Sequence, residues 1–223
     1  NTHYLGFNAN MLANEMFLDS ASLRSSIVSH SKTLGYVPTS ARAAKATVDV
    51  NLNTSQASLT MPAGTVFNAT VDAVSYKFST ITDVTKSNAG GTIPFLNTDI
   101  YEGTFITTRY TVNSSDIDQR FLLTDNRADT TTLTVKVQTS STDTTSNTFT
   151  EATDITQVGA TSNVYFLQEV EAGLYEIYFG DGVIGTALSD DNIVILTYVV
   201  SNKSAANGAS IFTNAATIGG VSD

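Results

Sequence analysis

Ala46-Thr47-Val48-Asp49-Val50-Asn51-Leu52-Asn53 alternates apolar and polar residues without a break. Successive side chains of a strand point to opposite faces, so a period of two reads as a β-strand with one face buried and one in water. The pattern sets the class of most of the chain. On its C-terminal side, Met61-Pro62-Ala63-Gly64, Asn88-Ala89-Gly90-Gly91 and Glu102-Gly103 punctuate the sequence with turn chemistry. Between and after them, 65–71, 104–112, 120–123, 131–137, 164–167, 174–179 and 193–200 carry strand-like runs, and about ten strands are expected. Residues 139–148 are rich in Ser and Thr, lack an apolar anchor, and are expected to form a mobile loop. No helical segments interleave with the strands, so a βαβ array is excluded in favour of sandwich-like antiparallel sheets.

On its N-terminal side the period changes. Leu12 and Met16 lie four residues apart, on one face of a short helix that Asn8 is placed to cap. Leu23 and Ile27 repeat that spacing in a second helix, with Ser20, after Asp19, as its expected cap and Leu34 continuing the face. Gly35 supplies a left-handed stop and Pro38 forbids continuation. The stripe Leu12, Met16, Leu23, Ile27 has two readings: packing on its own domain, or joining a bundle with helices of partner chains. The expected fold is mainly β, α+β overall, with short N-terminal helices followed by antiparallel sheet or sandwich domains. The expected division is a helical segment 1–44, a β domain built from 45–82 and 163–213, and a β-rich insert 83–162.

Composition narrows function. The chain has 223 residues, long enough to bury a full core. Its formal charge of −10 argues against a nucleic-acid partner, because phosphate binding needs clustered Lys and Arg. Apolar runs such as 193–196 and 198–200 fall far short of the roughly 20 residues of a membrane span, so a soluble chain is expected. Asn1 at the start, with no signal-like segment after it, reads as a fragment of a longer chain. The absence of cysteine excludes disulfide staples and leaves the compartment open.

Little in the sequence supports catalysis. The only histidines are His3, near a terminus, and His30, near the end of the second helix, where the helix dipole favours it. Gly180-Asp181-Gly182-Val183-Ile184-Gly185 spells the glycine spacing of dinucleotide-binding turns, but that fingerprint needs a helix after it, and a strand follows here. Gly180, Asp181 and Gly182 are therefore expected to form a structural turn, with 183–184 starting back as a hairpin. Asp181, Asp190 and Asp191 do not match the alternating ligands of a calcium loop. A glycosidase pair would have to come from distant strands and cannot be picked out. Four Asn-x-Ser/Thr acceptors, at Asn53, Asn68, Asn113 and Asn202, are expected by chance in so Asn-, Ser- and Thr-rich a chain. No cofactor, metal or small-molecule substrate is expected.

Several motifs, taken in order, carry a resemblance. They are Gly35-Tyr36-Val37-Pro38-Thr39-Ser40-Ala41-Arg42-Ala43, Met61-Pro62-Ala63-Gly64-Thr65-Val66-Phe67 and Tyr76-Lys77-Phe78-Ser79-Thr80. After them come Val164-Tyr165-Phe166-Leu167, then 175–185 with its Gly-Asp-Gly, then Asn192-Ile193-Val194-Ile195-Leu196-Thr197-Tyr198 and Ala206-Asn207-Gly208. Their order and spacing resemble the Baseplate J-like family from about residue 8 to 213. Residues 8–19 and Tyr101-Glu102-Gly103 are most similar to its branch of baseplate wedge subunits from T-even-like contractile-tailed phages. The resemblance implies a non-enzymatic virion protein of the tail baseplate, made in the bacterial host cytoplasm. Its implied partners are other wedge proteins and further copies of itself, and it would hold the pre-contraction state until host contact. It also implies that a C-terminal portion lies beyond this chain. From another class, the competing expectation is a carbohydrate-binding adhesin or tail-fibre β domain, which needs a concave patch of exposed aromatics. The aromatics Phe105, Tyr110, Phe121, Tyr175 and Phe179 instead sit at strand positions where burial is the simpler account. A cell-wall or capsule hydrolase is the third, and no carboxylate pair marks it.

Overall fold

The computed structural model describes residues 2–116, 118–170, 173–214 and 217–221. Two α-helices open the chain, α1 (Thr2–Glu15) and α2 (Arg24–Thr33). Strands follow: β1 (Lys45–Asn53), β2 (Ser58–Met61), β3 (Val66–Val71), β4 (Val74–Ser79), β5 (Val84–Ser87), β6 (Thr92–Glu102) and β7 (Thr104–Thr111). Then come β8 (Phe121–Leu123), β9 (Ala128–Gln138), β10 (Ser146–Glu151), β11 (Val164–Glu169), β12 (Tyr175–Phe179), β13 (Ile193–Val200) and β14 (Phe212–Asn214). The chain is mainly β, as its alternating pattern requires.

Contacts gather the chain into two compact units, 1–39 with 113–126 and 150–188, and 40–112 with 127–149 and 189–223. These seams do not follow the expected boundaries at 82/83 and 162/163. The reason is strand pairing: β6, inside the expected insert, runs antiparallel to β1 from Lys45↔Tyr101 to Asn53↔Thr92.

In the second unit, β1-β6-β4-β3-β14 form one sheet. Its apolar face carries Val50, Leu52, Phe67, Ala69, Phe78, Ile93, Phe95 and Ile100. The two-stranded β2–β5 ribbon contributes Leu59 and Met61 to this core, and the C-terminal stretch adds Ala206 and Ile218. Phe78 and Phe212 meet edge to face with centroids 5.0 Å apart. Each fully buried Leu, Ile or Phe contributes about 1.5–3 kcal/mol. A second set of strands places β13 between β7 and β9, with residues 146–149 of β10 on the far side of β9. Val194, Leu196 and Tyr198 of β13 are buried there beside Val135 and Val137.

Between the two sheets the chain turns a corner at Glu102-Gly103. The Glu102 carboxylate is fully buried and accepts from the Asn202 amide N–H (2.9 Å) and from Asn202 Nδ2 (2.8 Å). Gly103 has φ +131°, and a Cβ there would lie 2.3 Å from the Val200 carbonyl oxygen. A similar clip fixes the start of β9. Asp129, 1% exposed, accepts from the Ala43 N–H (2.8 Å), the Thr131 N–H (2.9 Å) and the Thr131 hydroxyl (2.6 Å).

In the first unit, β11 and β12 pair antiparallel, β12 pairs antiparallel with β8, and Thr150 and Glu151 of β10 run parallel to β11. Tyr165, Leu167, Tyr175, Ile177, Phe121 and Leu123 are buried on one face of this sheet. On the other, Phe166 stacks on Tyr178 (5.1 Å), and the Arg120 guanidinium sits 4.3 Å from the centre of the Tyr178 ring.

Candidate partner interface

The helical pair is built differently from the sequence expectation at three points. Asn8 lies inside α1, which begins at Thr2, so it caps nothing. Ser20 does not cap α2 either: the N-cap is Leu23, which has no capping side chain of its own. Glu15 takes that role from across the turn. Its carboxylate accepts from the Ser22 N–H (2.9 Å), the Ser22 hydroxyl (2.7 Å) and the Leu23 N–H (3.2 Å), satisfying donors that a helix start leaves orphaned. Ser20 Oγ instead donates to the Asn14 carbonyl (2.7 Å), and His30 Nε2 lies 2.9 Å from the Glu15 carbonyl. His30 thus ties the end of α1 to α2, a role its sequence position alone did not reveal. The stop at Gly35 is as expected. With φ +72°, its N–H donates to Lys32 O while the Tyr36 N–H reaches Ser31 O, the paired bonds of a Schellman motif.

The hydrogen bonds to Glu15, from Ser22 first, bring its pKa down from 4.5 to about 2. A depressed carboxylate stabilises the fold above its unfolded pKa and loses that contribution as pH falls through the folded one. The turn between α1 and α2 is therefore expected to loosen between pH 4.5 and pH 2. Exchange of the Ser22 and Leu23 amides should speed up across that window, and Glu15→Gln should abolish the pH dependence.

The predicted stripe faces outward. Leu12 is 70% exposed, Met16 68%, Leu23 53% and Ile27 38%. Met16 lies one residue past α1, and Leu23 at the cap of α2. Sequence reasoning missed a second stripe on α1, Tyr4, Phe7 and Met11, at spacing i, i+3, i+7 and all exposed. Its signal was legible, but placing the helix start at Asn8 cut it off. No described residue of α1 is buried.

The inward face of α2 is Arg24, Val28 and Ser31, of which Val28 and Ser31 are buried. Arg24 makes a bidentate pair with Glu169, Nε to Oε1 at 2.9 Å and Nη2 to Oε2 at 2.7 Å. The carboxylate end of the pair is buried, while the arginine side chain is 62% exposed. Tyr175 OH stands 3.4 Å from Glu169 Oε2 and donates to the Pro38 carbonyl (2.9 Å). Burial, then the Glu169 charge, push the Tyr175 phenol up to about 12. A cavity of about 560 Å3 remains along α2, lined by Leu23, Val28, Lys32, Glu169 and Val170 among others. This helix is therefore held by an ion pair and a few contacts rather than by a packed apolar face.

Gly180, Asp181 and Gly182 lead into a bend at 182–185. Asp181 Oδ1 accepts from the Val183 and Ile184 N–H groups (2.9 and 3.0 Å), and Gly182 has φ +87°. The expected hairpin return is absent: 183–184 pair with no strand, and the next strand, β13, lies between β7 and β9. A helix does not follow, so the dinucleotide reading has no support. Among the described residues, no group of three or more His, Cys, Asp or Glu is placed to hold a metal ion, and no helix is long and apolar enough to cross a membrane. Phe121 and Tyr175 are buried in the sheet, and Phe105, Tyr110 and Phe179 are half-buried.

The helical hairpin leaves a row of large apolar side chains exposed. Residues 106–214, just under half of the chain, match the family model described as Bacteriophage baseplate wedge protein gp6, third domain. The match begins within β7, ends at the last residue of β14, and supports the baseplate wedge family. No curated protein matches the chain.

Proposed function

We propose that the chain is a structural subunit of a phage tail baseplate wedge, of Baseplate J-like descent and closest in kind to the T-even-like contractile tails. The observation that carries this reading is the helical hairpin, which leaves Tyr4, Phe7, Met11, Leu12, Met16, Leu23 and Ile27 exposed. An amphipathic helix is stabilised by burying its apolar face, and one apolar on two sides needs neighbours on two sides. Helices of other wedge proteins and of further copies supply them, in the virion baseplate. The β units act as spacers, and the hairpin interfaces, which differ between two assembled states by a few kcal/mol, hold and release the pre-contraction state. Such a switch has no need of an active site, and the subunit works without catalysis.

Leu23→Asp with Ile27→Asp tests this. Both positions are exposed, so thermal stability should change by about 0.5 kcal/mol or less. Wedge assembly, followed by sedimentation of reconstituted particles, should fail. Normal wedges built from the folded double variant would overturn the reading.

A further inference from the structure

In the five-stranded sheet β1 is an edge strand: among the described residues no strand pairs with its outer side. Which amides it offers follows from the ladder. The Glu102 N–H bonds to Ala44 O and the Thr54 N–H to Gly91 O. In an antiparallel pair hydrogen-bonded residues alternate, so 44, 46, 48, 50, 52 and 54 turn their amides to β6, and Lys45, Thr47, Asp49, Asn51 and Asn53 turn theirs outward. Pro94, which has no N–H, sits opposite Asn51 at a position that needs none. Proteins protect such edges with prolines, bulges, short strands or charged side chains, and β1 carries only the last of these, in Lys45 and Asp49. Here β1 runs nine residues without a proline, and the irregularity between Val48 and Val50 is taken up on β6, where Asn97 has φ +53° and donates to Asp49 Oδ1.

We infer that this edge is a pairing site for the same strand of a second copy, β1 to β1 antiparallel, centred on Thr47. Charge selects the register. Centring on Thr47 sets Lys45, which also pairs with Asp99 of its own chain (2.8 Å), opposite Asp49 of the other copy, twice by symmetry, whereas centring on Asp49 sets two like charges face to face. The inward row then continues from one sheet to the next as Ala46 against Val48. Its ladder ends naturally at residue 43, whose N–H is already given to Asp129. This pairing goes beyond the wedge reading, and a failure here would leave the family match untouched.

The chain contains no cysteine, so single cysteines report proximity cleanly. In the full chain, Thr47→Cys should form an intermolecular disulfide under mild oxidation. A hydrogen-bonded antiparallel pair holds its Cα atoms about 5.5 Å apart, inside the disulfide span. Asn51→Cys should cross-link at least tenfold more slowly, because this register separates the two sites by about 25 Å. Association through the helical hairpins would favour neither position, so equal rates overturn the pairing. A wild-type chain that sediments as a monomer at about 1 mM overturns it as well. Thr47→Pro, which removes an outward N–H and leaves the β1–β6 ladder intact, should weaken self-association at least tenfold. Should that variant fail to fold, the cysteine comparison decides alone.

Discussion

Gly103→Ala is expected to destabilise the chain by about 3–5 kcal/mol, a large share of the roughly 5–15 kcal/mol that holds a domain folded. Two costs combine. At φ +131° an L side chain is strained, and the added Cβ would meet the Val200 carbonyl oxygen at 2.3 Å and Val199 Cγ1 at 2.7 Å. Neither neighbour can give way easily. Val200 O belongs to the backbone of β13, and both valines are buried. The Gly103 N–H is also committed, to Lys77 O at 2.8 Å. Any shift of the corner therefore propagates into β4 and β13 together. Urea denaturation read by far-ultraviolet circular dichroism should show the loss as a lower midpoint. A variant within 1 kcal/mol of wild type would mean that the corner has room the geometry denies it.

Arg24→Met is the second large effect, expected at about 2 kcal/mol. Removing one partner of a buried pair leaves the other charge uncompensated, which costs about 3–5 kcal/mol when both ends are buried. Here the arginine is largely exposed, and solvent screening reduces the figure. Among the described residues Glu169 then keeps the long contact to Tyr175 OH, and α2 loses its ion pair. Arg24→Met with Glu169→Gln should recover more than half of the loss, since replacing both partners removes the orphaned charge. The double-mutant cycle in urea should give a coupling of at least about 1 kcal/mol. Additive effects would show that the pair does not hold the helix.

The sequence was most informative where one local rule governs. The alternation at Val48, Val50 and Leu52 marks β1, and the apolar runs 193–196 and 198–200, broken by Thr197, mark β13, a strand paired on both sides. β6 escaped notice although it is among the longest strands, because Pro94 and Asn97 interrupt its pattern. The proline is tolerated only because it lies at a non-bonded position, and the asparagine only because it forms a bulge, facts of register that no single strand carries. Residues 146–148, expected to be part of a loop over 139–148, belong to β10, because Phe149 just beyond them is buried and anchors the strand. On the helical hairpin, the i, i+4 stripe of Leu23 and Ile27 was legible from spacing, but not the direction in which it faces. Glu15 capping Ser22, and Arg24 reaching Glu169 145 residues away, depend on the chain folding back and leave no local signature.

The position of β13 has a consequence during synthesis. The strand lies between β7 and β9, yet it is made after both. At roughly 5–20 residues per second, the ribosome needs on the order of 3–10 s to travel from the end of β9 to the start of β13. Through that interval the facing edges of β7 and β9 wait without the strand that separates them. A nascent chain in this state exposes two complementary β edges to its neighbours on the same message, so slow elongation past residue 138 favours cross-pairing between chains over completion of the sheet.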